Sequence, residues 1–183
     1  DLIRDVYTDM AEQTNAAYIH VGGDEAIAMD TNTFQRYIQM ALPIARNTGK
    51  GVVAWQEAAR GGLSEGDLVQ WWIPNEMVEK MKRARDTGEG LEGRDPNDPV
   101  VKAFIELFST ADEDVPAAVD QGANVIISSA KWLYLDTKYT EESADPAQND
   151  QHEKRGMPPN VYANGTVQAS YNWDPVAVNP ELS

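Results

Sequence analysis

Asp24 and Glu25 are adjacent carboxylates delivered by the run Tyr18-Ile19-His20-Val21-Gly22-Gly23, and of all segments in this chain theirs is the best suited to acid and base chemistry. The apolar residues ahead of the pair read as a buried strand. The two glycines let the backbone bend sharply and approach a ligand closely. Two carboxylates next to each other can then be aimed at different atoms of one substrate. Each disfavours ionisation of the other, so their pKa values move apart, as a proton donor working beside a charged neighbour requires. Taken alone, the pair has a second reading as an acidic dipeptide opening a helix, where carboxylates favour the positive end of the dipole.

Trp55, Trp72, Tyr134, Asp136 and Trp173 also fall at or just after apolar runs that read as strand ends. The elements that must position them alternate. Helical spacing of Leu2, Ile3, Val6, Tyr7 and Met10 predicts a helix over 1–13 feeding a strand over 16–21. A helix over 33–46, kinked or interrupted near Pro43, is stopped by Asn47-Thr48-Gly49-Lys50-Gly51 ahead of a strand over 52–55. A strand over 67–72 and a helix over 74–82 follow, then a Gly-, Asp- and Pro-rich exposed loop over 86–99. Helical turns over 100–108 and 115–121 lead to a β-branched strand over 124–130, apolar on both faces, and residues 140–159 read as a polar, acidic loop. This α/β alternation argues for a parallel sheet with its site at the carboxyl ends of the strands. Pattern alone does not separate a barrel from an open doubly wound sheet.

Five motifs, in order, carry a resemblance to a known family: His20-Val21-Gly22-Gly23-Asp24-Glu25, Val53-Ala54-Trp55-Gln56-Glu57, Val69-Gln70-Trp71-Trp72, Tyr134-Leu135-Asp136 and Tyr171-Asn172-Trp173-Asp174-Pro175. Together they resemble glycoside hydrolase family 20. The resemblance implies a (β/α)8 TIM-barrel catalytic domain, here an incomplete barrel holding the middle and later strands. The length of 183 residues agrees, since such a barrel typically needs roughly 250. Residues 1–183 are therefore read as one partial catalytic domain with loop insertions near 84–99 and 140–160, without an internal repeat or a linker. A partial barrel would expose edge strands and an apolar sheet face, so the remaining barrel segments of a parent chain are expected partners.

The same resemblance implies the reaction: retaining, substrate-assisted removal of terminal β-linked N-acetylglucosamine or N-acetylgalactosamine, a family exception to the usual pair of catalytic carboxylates. It places Glu25 as general acid and then base, and Asp24 on the acetamido nitrogen, steadying positive charge. Tyr134 would orient the acetamido oxygen, and Asp136 would bind a sugar hydroxyl. Trp55 and Trp72 would wall the acetamido methyl, while Trp71 reads as core. His20 would support the site through a hydrogen bond, and Tyr162 stands where relatives place a further wall tryptophan. Trp173 is mainly a strand-end feature with a lesser part in lining the site. The family's early-strand arginine and its last-strand tryptophan and glutamate have no counterpart here, so the isolated chain is expected to be weak or inactive.

Three alternatives follow from the residues themselves. Each Trp alone reads as core, and a noncatalytic carbohydrate-binding or structural piece would use the tryptophans for stacking and the carboxylates only for hydrogen bonds. Glu57 reads as solvated or structural, and, in a different barrel glycosidase, as a nucleophile. A metal at His20 with Asp24 and Glu25 nearby is conceivable, but a further ligand at sensible spacing is missing and His152 sits in a polar loop, so no metal or other cofactor is expected.

Composition narrows the partners. Thirty acidic against 15 basic residues give a formal charge of -15, which opposes attraction to nucleic acid or anionic membranes and leaves N-acetylhexosaminide glycans or oligosaccharides as the expected ligands. No apolar run approaches the roughly 20 residues that span a bilayer. Zero cysteines exclude disulfides and thiol chemistry and fit either a cytosolic or a secreted, extracellular setting.

Overall fold

Four short apolar runs pair as parallel strands, and the helices between them bury one face of the resulting sheet. In the computed structural model, residues 2–27, 29–91, 93–134, 144–147 and 166–178 are described. They fall into two units, 1–127 and 128–183. The first unit contains α1 (Leu2–Gln13), β1 (Tyr18–His20), α2 (Thr31–Arg46), β2 (Gly51–Trp55), β3 (Leu68–Trp71), α3 (Asn75–Thr87), α4 (Pro99–Ser109), α5 (Asp114–Asp120) and β4 (Asn124–Ile127). Two 3-10 helices, Gln56–Gly61 and Ala111–Glu113, lie after β2 and α4. The second unit holds α6 (Ala130–Leu133), α7 (Val167–Tyr171) and α8 (Pro175–Val178), with α6 packed on α7.

The strand order is β1-β2-β3-β4, every neighbour parallel. A doubly wound sheet reverses its order at a switch point, so unreversed order with crossover helices is the topology of a barrel segment. Side-chain alternation then divides the sheet. Ile19, Val52, Ala54 and Val69 are buried in one cluster with Ile38, Leu42 and Ala45 of α2 and Ala118 of α5. On the alternate positions, Tyr18, His20 and Ile126 remain exposed. Among the described residues, helices thus cover one face; on the other, Val53 is buried while Tyr18, His20 and Ile126 are open to solvent. That openness corrects the expectation for the last strand: it spans only Asn124–Ile127, with Asn124 and Ile126 exposed, and is not buried on both faces.

Local chemistry fixes most element ends. Asp30 caps α2, accepting from the Thr33 backbone N–H at 3.0 Å and its hydroxyl at 2.6 Å, so the helix begins at Thr31, ahead of the expected start. The expected interruption at Pro43 is absent. Proline there removes one helical donor, but Leu42, Ile44 and Ala45 are buried around it, and Asn47 N–H bonds Pro43 O at 3.0 Å to complete the last turn. Asp98 caps α4 by accepting from Val100 N–H at 2.7 Å, with Pro99 in the first turn. α3 runs five residues beyond its expected end because Met81 and Ala84 continue its buried stripe against α4. Of the segment 84–99, where an insertion was expected, the residues up to Thr87 belong to α3 and Pro99 opens α4, and the segment near 140–160 lies mostly outside the described residues.

Gly61 closes the 3-10 helix after β2 against α2, and a Cβ at this position would overlap the Ile38 side chain, which is fully buried. Gly61→Ala is expected to lower unfolding stability by about 1–3 kcal/mol through this overpacking. A urea-unfolding midpoint unchanged from the parent protein would contradict it.

Candidate active site

The backbone after β1 continues as ladder and then turns. Val21 N–H bonds Val53 O at 2.9 Å and Trp55 N–H bonds Gly22 O at 3.0 Å, carrying the chain to the carboxyl end of β2. Gly22 and Gly23 take φ of 75° and 97°. In this left-handed region residues with a Cβ are strained, and a Cβ at Gly23 would also press on Ile38 at 3.2 Å. Glu25 follows at φ 46°, the one non-glycine in that region among the described residues. Such a conformation persists only where its surroundings hold it, and it is a frequent mark of functional sites. Asp24 and Glu25 are both exposed, and partial burial followed by the Asp24 charge raises the Glu25 pKa above the ordinary carboxylate value.

His20 supports the bend. Its Nδ1 accepts from Gly22 N–H at 3.0 Å, which requires that nitrogen to be unprotonated. Burial lowers its pKa, while a hydrogen bond with Gln70 and the Asp24 charge act in the opposite direction. The imidazole also packs against Trp55, ring centroids 5.1 Å apart. Trp55 meets Trp72 edge-on at 6.2 Å, and Trp72 meets Phe108 edge-on at 5.9 Å. Trp72 is buried and Trp55 half-buried, so Trp55 is the more accessible of the two expected walls. Trp71 is buried as expected, its indole N–H donating to Ile73 O at 2.8 Å.

Sequence reasoning underrated Gln56 and Glu57. Strand geometry ends at Trp55 and a 3-10 helix begins, so Glu57 does not share the face of Trp55 and is not solvated. It is 1 % exposed. Its Oε1 accepts from Glu25 N–H at 3.3 Å and its Oε2 from the Trp72 indole N–H at 3.2 Å. Burial pushes its pKa up to about 7, against the pull of those hydrogen bonds. With both oxygens engaged and the side chain enclosed, the geometry disfavours the nucleophile reading for Glu57. Gln56 accepts from Trp72 N–H and Ile73 N–H, each at 3.0 Å, and donates to Ala111 O at 3.0 Å. The available signal was a polar Gln-Glu pair set between the apolar runs Val52–Ala54 and Ala58–Ala59.

Arg60 anchors the far side of this 3-10 helix. It donates to both Asp114 oxygens at 2.6 and 2.8 Å and to Leu107 O at 3.0 Å, tying the site's floor to α4 and α5. Burial pushes the Asp114 carboxyl up to about 6, with Arg60 opposing that rise.

The first unit thus brings together His20, Asp24, Glu25, Trp55 and Trp72. Tyr134 and Trp173 belong to the second unit. Tyr134 follows α6 in extended backbone, and Trp173 lies between α7 and α8, partly buried. Asp136 and Tyr162 lie outside the described residues. No group of three or more His, Asp or Glu side chains is arranged to hold a metal among the described residues, and no helix among them is long and apolar enough to cross a membrane.

Comparison with known proteins gives a consistent outcome. A β-N-acetylhexosaminidase from Cellulomonas fimi is 33% identical over 137 residues, covering 75% of this chain and 21% of the relative. A solved family 20 β-N-acetylglucosaminidase superimposes with a TM-score of 0.65 at 25% identity, over 98% of this chain and 29% of that one. A mutant Streptomyces plicatus β-hexosaminidase in complex with its product GlcNAc gives 0.66 at 26% identity, over 97% of this chain and 27% of that one. This chain therefore spans about a fifth to three tenths of the length of these proteins. Their catalytic domain is a TIM barrel, of which the four in-order parallel strands form a segment. A sequence model of the glycosyl hydrolase family 20 catalytic domain matches residues 1–182, and the chain belongs to that family.

Proposed function

We propose that this chain supplies the acid/base end of a β-N-acetylhexosaminidase barrel that removes terminal β-linked N-acetylglucosamine or N-acetylgalactosamine with retention. The observation that carries the reading is Glu25 itself: an accessible carboxyl with a raised pKa, held in a left-handed turn beside Asp24 and at the strand ends where Trp55 stands. A group that must be protonated before reaction and deprotonated after it needs such a shift. The acetamido oxygen of the substrate attacks the anomeric carbon while the glycosidic oxygen takes the proton of Glu25. The resulting oxazolinium ion is opened by water, whose proton returns to Glu25. Asp24 accepts from the acetamido N–H and stabilises the positive charge.

Trp55 and Trp72 would enclose the acetamido methyl and so select N-acetyl sugars over plain hexoses. Tyr134, Asp136, Tyr162 and Trp173 are assigned to orienting and lining the same sugar, on family resemblance. Among the described residues β1 and β4 are the edge strands of the sheet, and Tyr18, His20 and Ile126 on one of its faces are exposed, which suits completion by further barrel strands that would bring groups to grip the remaining hydroxyls.

The test uses the intact barrel that contains this chain. It is expected to cleave an aryl N-acetyl-β-glucosaminide and to leave the matching aryl β-glucoside untouched. Cleavage of both equally would refute substrate assistance, and cleavage of neither would refute the hydrolase reading. Glu25→Gln is expected to lower kcat by roughly 100- to 10,000-fold while sparing product binding. For a poor leaving group, kcat/KM should fall on the alkaline side through a pKa above the ordinary carboxylate range, because the acid must carry its proton. A profile still flat as pH rises past neutrality would contradict the role of Glu25.

A further inference from the structure

The proposed hydrolysis gives no part to Glu57, although this carboxyl connects two of the groups it depends on. One oxygen receives the N–H of Glu25 at 3.3 Å, and the other receives the indole N–H of Trp72 at 3.2 Å. The first of these donors belongs to a residue at φ 46°, in a turn outside every helix and strand, so no backbone ladder restrains it. The second belongs to a tryptophan whose ring lies edge-on to Trp55. In its ionised form a carboxylate has two acceptor oxygens and no donor; here one oxygen meets the Glu25 N–H and the other the Trp72 indole N–H, and the backbone N–H of Glu57 itself also bonds the carboxylate. Glutamine has almost the same shape but offers one acceptor and an NH2 group, so it would set a donor against a donor at one of the two contacts.

We propose that Glu57 is a positioning residue for the hydrolysis proposed above: one oxygen fixes the turn that aims the Glu25 carboxyl, and the other fixes the plane of the Trp72 indole in the acetamido pocket. The inference rests on that hydrolase reading. Glu57 touches no substrate, being 1 % exposed. Its burial raises its pKa to about 7, so the site keeps a carboxyl where an uncharged side chain would be easier to enclose. Mere filling of space would not require this chemistry, because Gln56 beside it shows that an amide is accommodated in the same 3-10 helix.

The two contacts predict separable losses. A dinitrophenyl leaving group departs with little help from a general acid, whereas an alkyl alcohol needs its proton. In the intact barrel, Glu57→Gln is expected to reduce the ratio of kcat for an alkyl N-acetyl-β-glucosaminide to kcat for the dinitrophenyl analogue, on the order of 10- to 100-fold. KM should rise for both substrates as Trp72 loosens. Trp72→Phe, which loses the indole N–H, should raise KM and leave the kcat ratio intact. Equal loss of kcat on the two substrates would mark Glu57 as a general structural support and overturn the proposal, as would unchanged kinetics. Should Glu57→Gln not fold, Glu57→Asp, which keeps the charge but shortens the reach to both donors, decides: a reduced kcat ratio with a raised KM supports the proposal and unchanged kinetics overturn it. If the unmodified barrel cleaves neither N-acetyl substrate, the hydrolase reading fails and takes this inference with it, an outcome distinct from a failure confined to the variants.

Discussion

Two buried polar side chains, consecutive in sequence, tie together the carboxyl ends of three strands. Gln56 and Glu57 leave β2 directly after Trp55. Gln56 accepts from the backbone after β3 and donates to Ala111. Glu57 accepts from the backbone after β1 and from the Trp72 indole after β3. Polar groups out of water must find partners or cost several kcal/mol. Here the partners are N–H groups lying outside the strand ladders after β1 and β3 and the carbonyl of Ala111 in the 3-10 helix after α4. The requirement to satisfy two side chains therefore also satisfies the irregular backbone on which a site can be built.

That rim carries the chemistry because the sheet below it is rigid and the turns above it are not regular. Parallel pairing sets Trp55 opposite Gln70, and α2 packs the helix-covered face with Ile38 and Leu42. Above β1, two glycines and one glutamate occupy left-handed backbone in which side chains are normally disfavoured. His20 holds the first glycine through its Nδ1, and Glu57 holds the glutamate. Strain at the turn is thus opposed from both sides, and the exposed carboxyls of Asp24 and Glu25 are presented by a backbone that cannot relax without losing hydrogen bonds. Arg60, clamped on Asp114, secures the 3-10 helix from below.

Local rules made much of the sequence legible. Periodicity located α1, α2, α4 and the strands, and the ordered motifs pointed to the family and its barrel. The departures share a physical cause. Pro43 was expected to kink or interrupt α2, and the helix runs through it without a break, burial of Leu42, Ile44 and Ala45 outweighing the loss of one donor in a final turn. The end of α3 was placed too early because its last buried contacts are with α4, a partner distant in sequence. β4 read as apolar on both faces, yet its residues are only exposed or partly buried among the described residues.

Residue identity and order determined the alternating α/β class, the acidic surface charge and the Asp24–Glu25 pair beyond a glycine bend, since these follow from spacing, charge and glycine's freedom at positive φ. Only tertiary structure decided that Glu57 is enclosed, that it joins Glu25 to Trp72, and that of the two tryptophans Trp55 keeps the more accessible face. The reason is that strand geometry stops at Trp55: once the chain enters a 3-10 helix, alternation no longer tells which way a side chain points. Its partners then come from segments that only folding brings near, 32 residues away for Glu25 and 15 for Trp72.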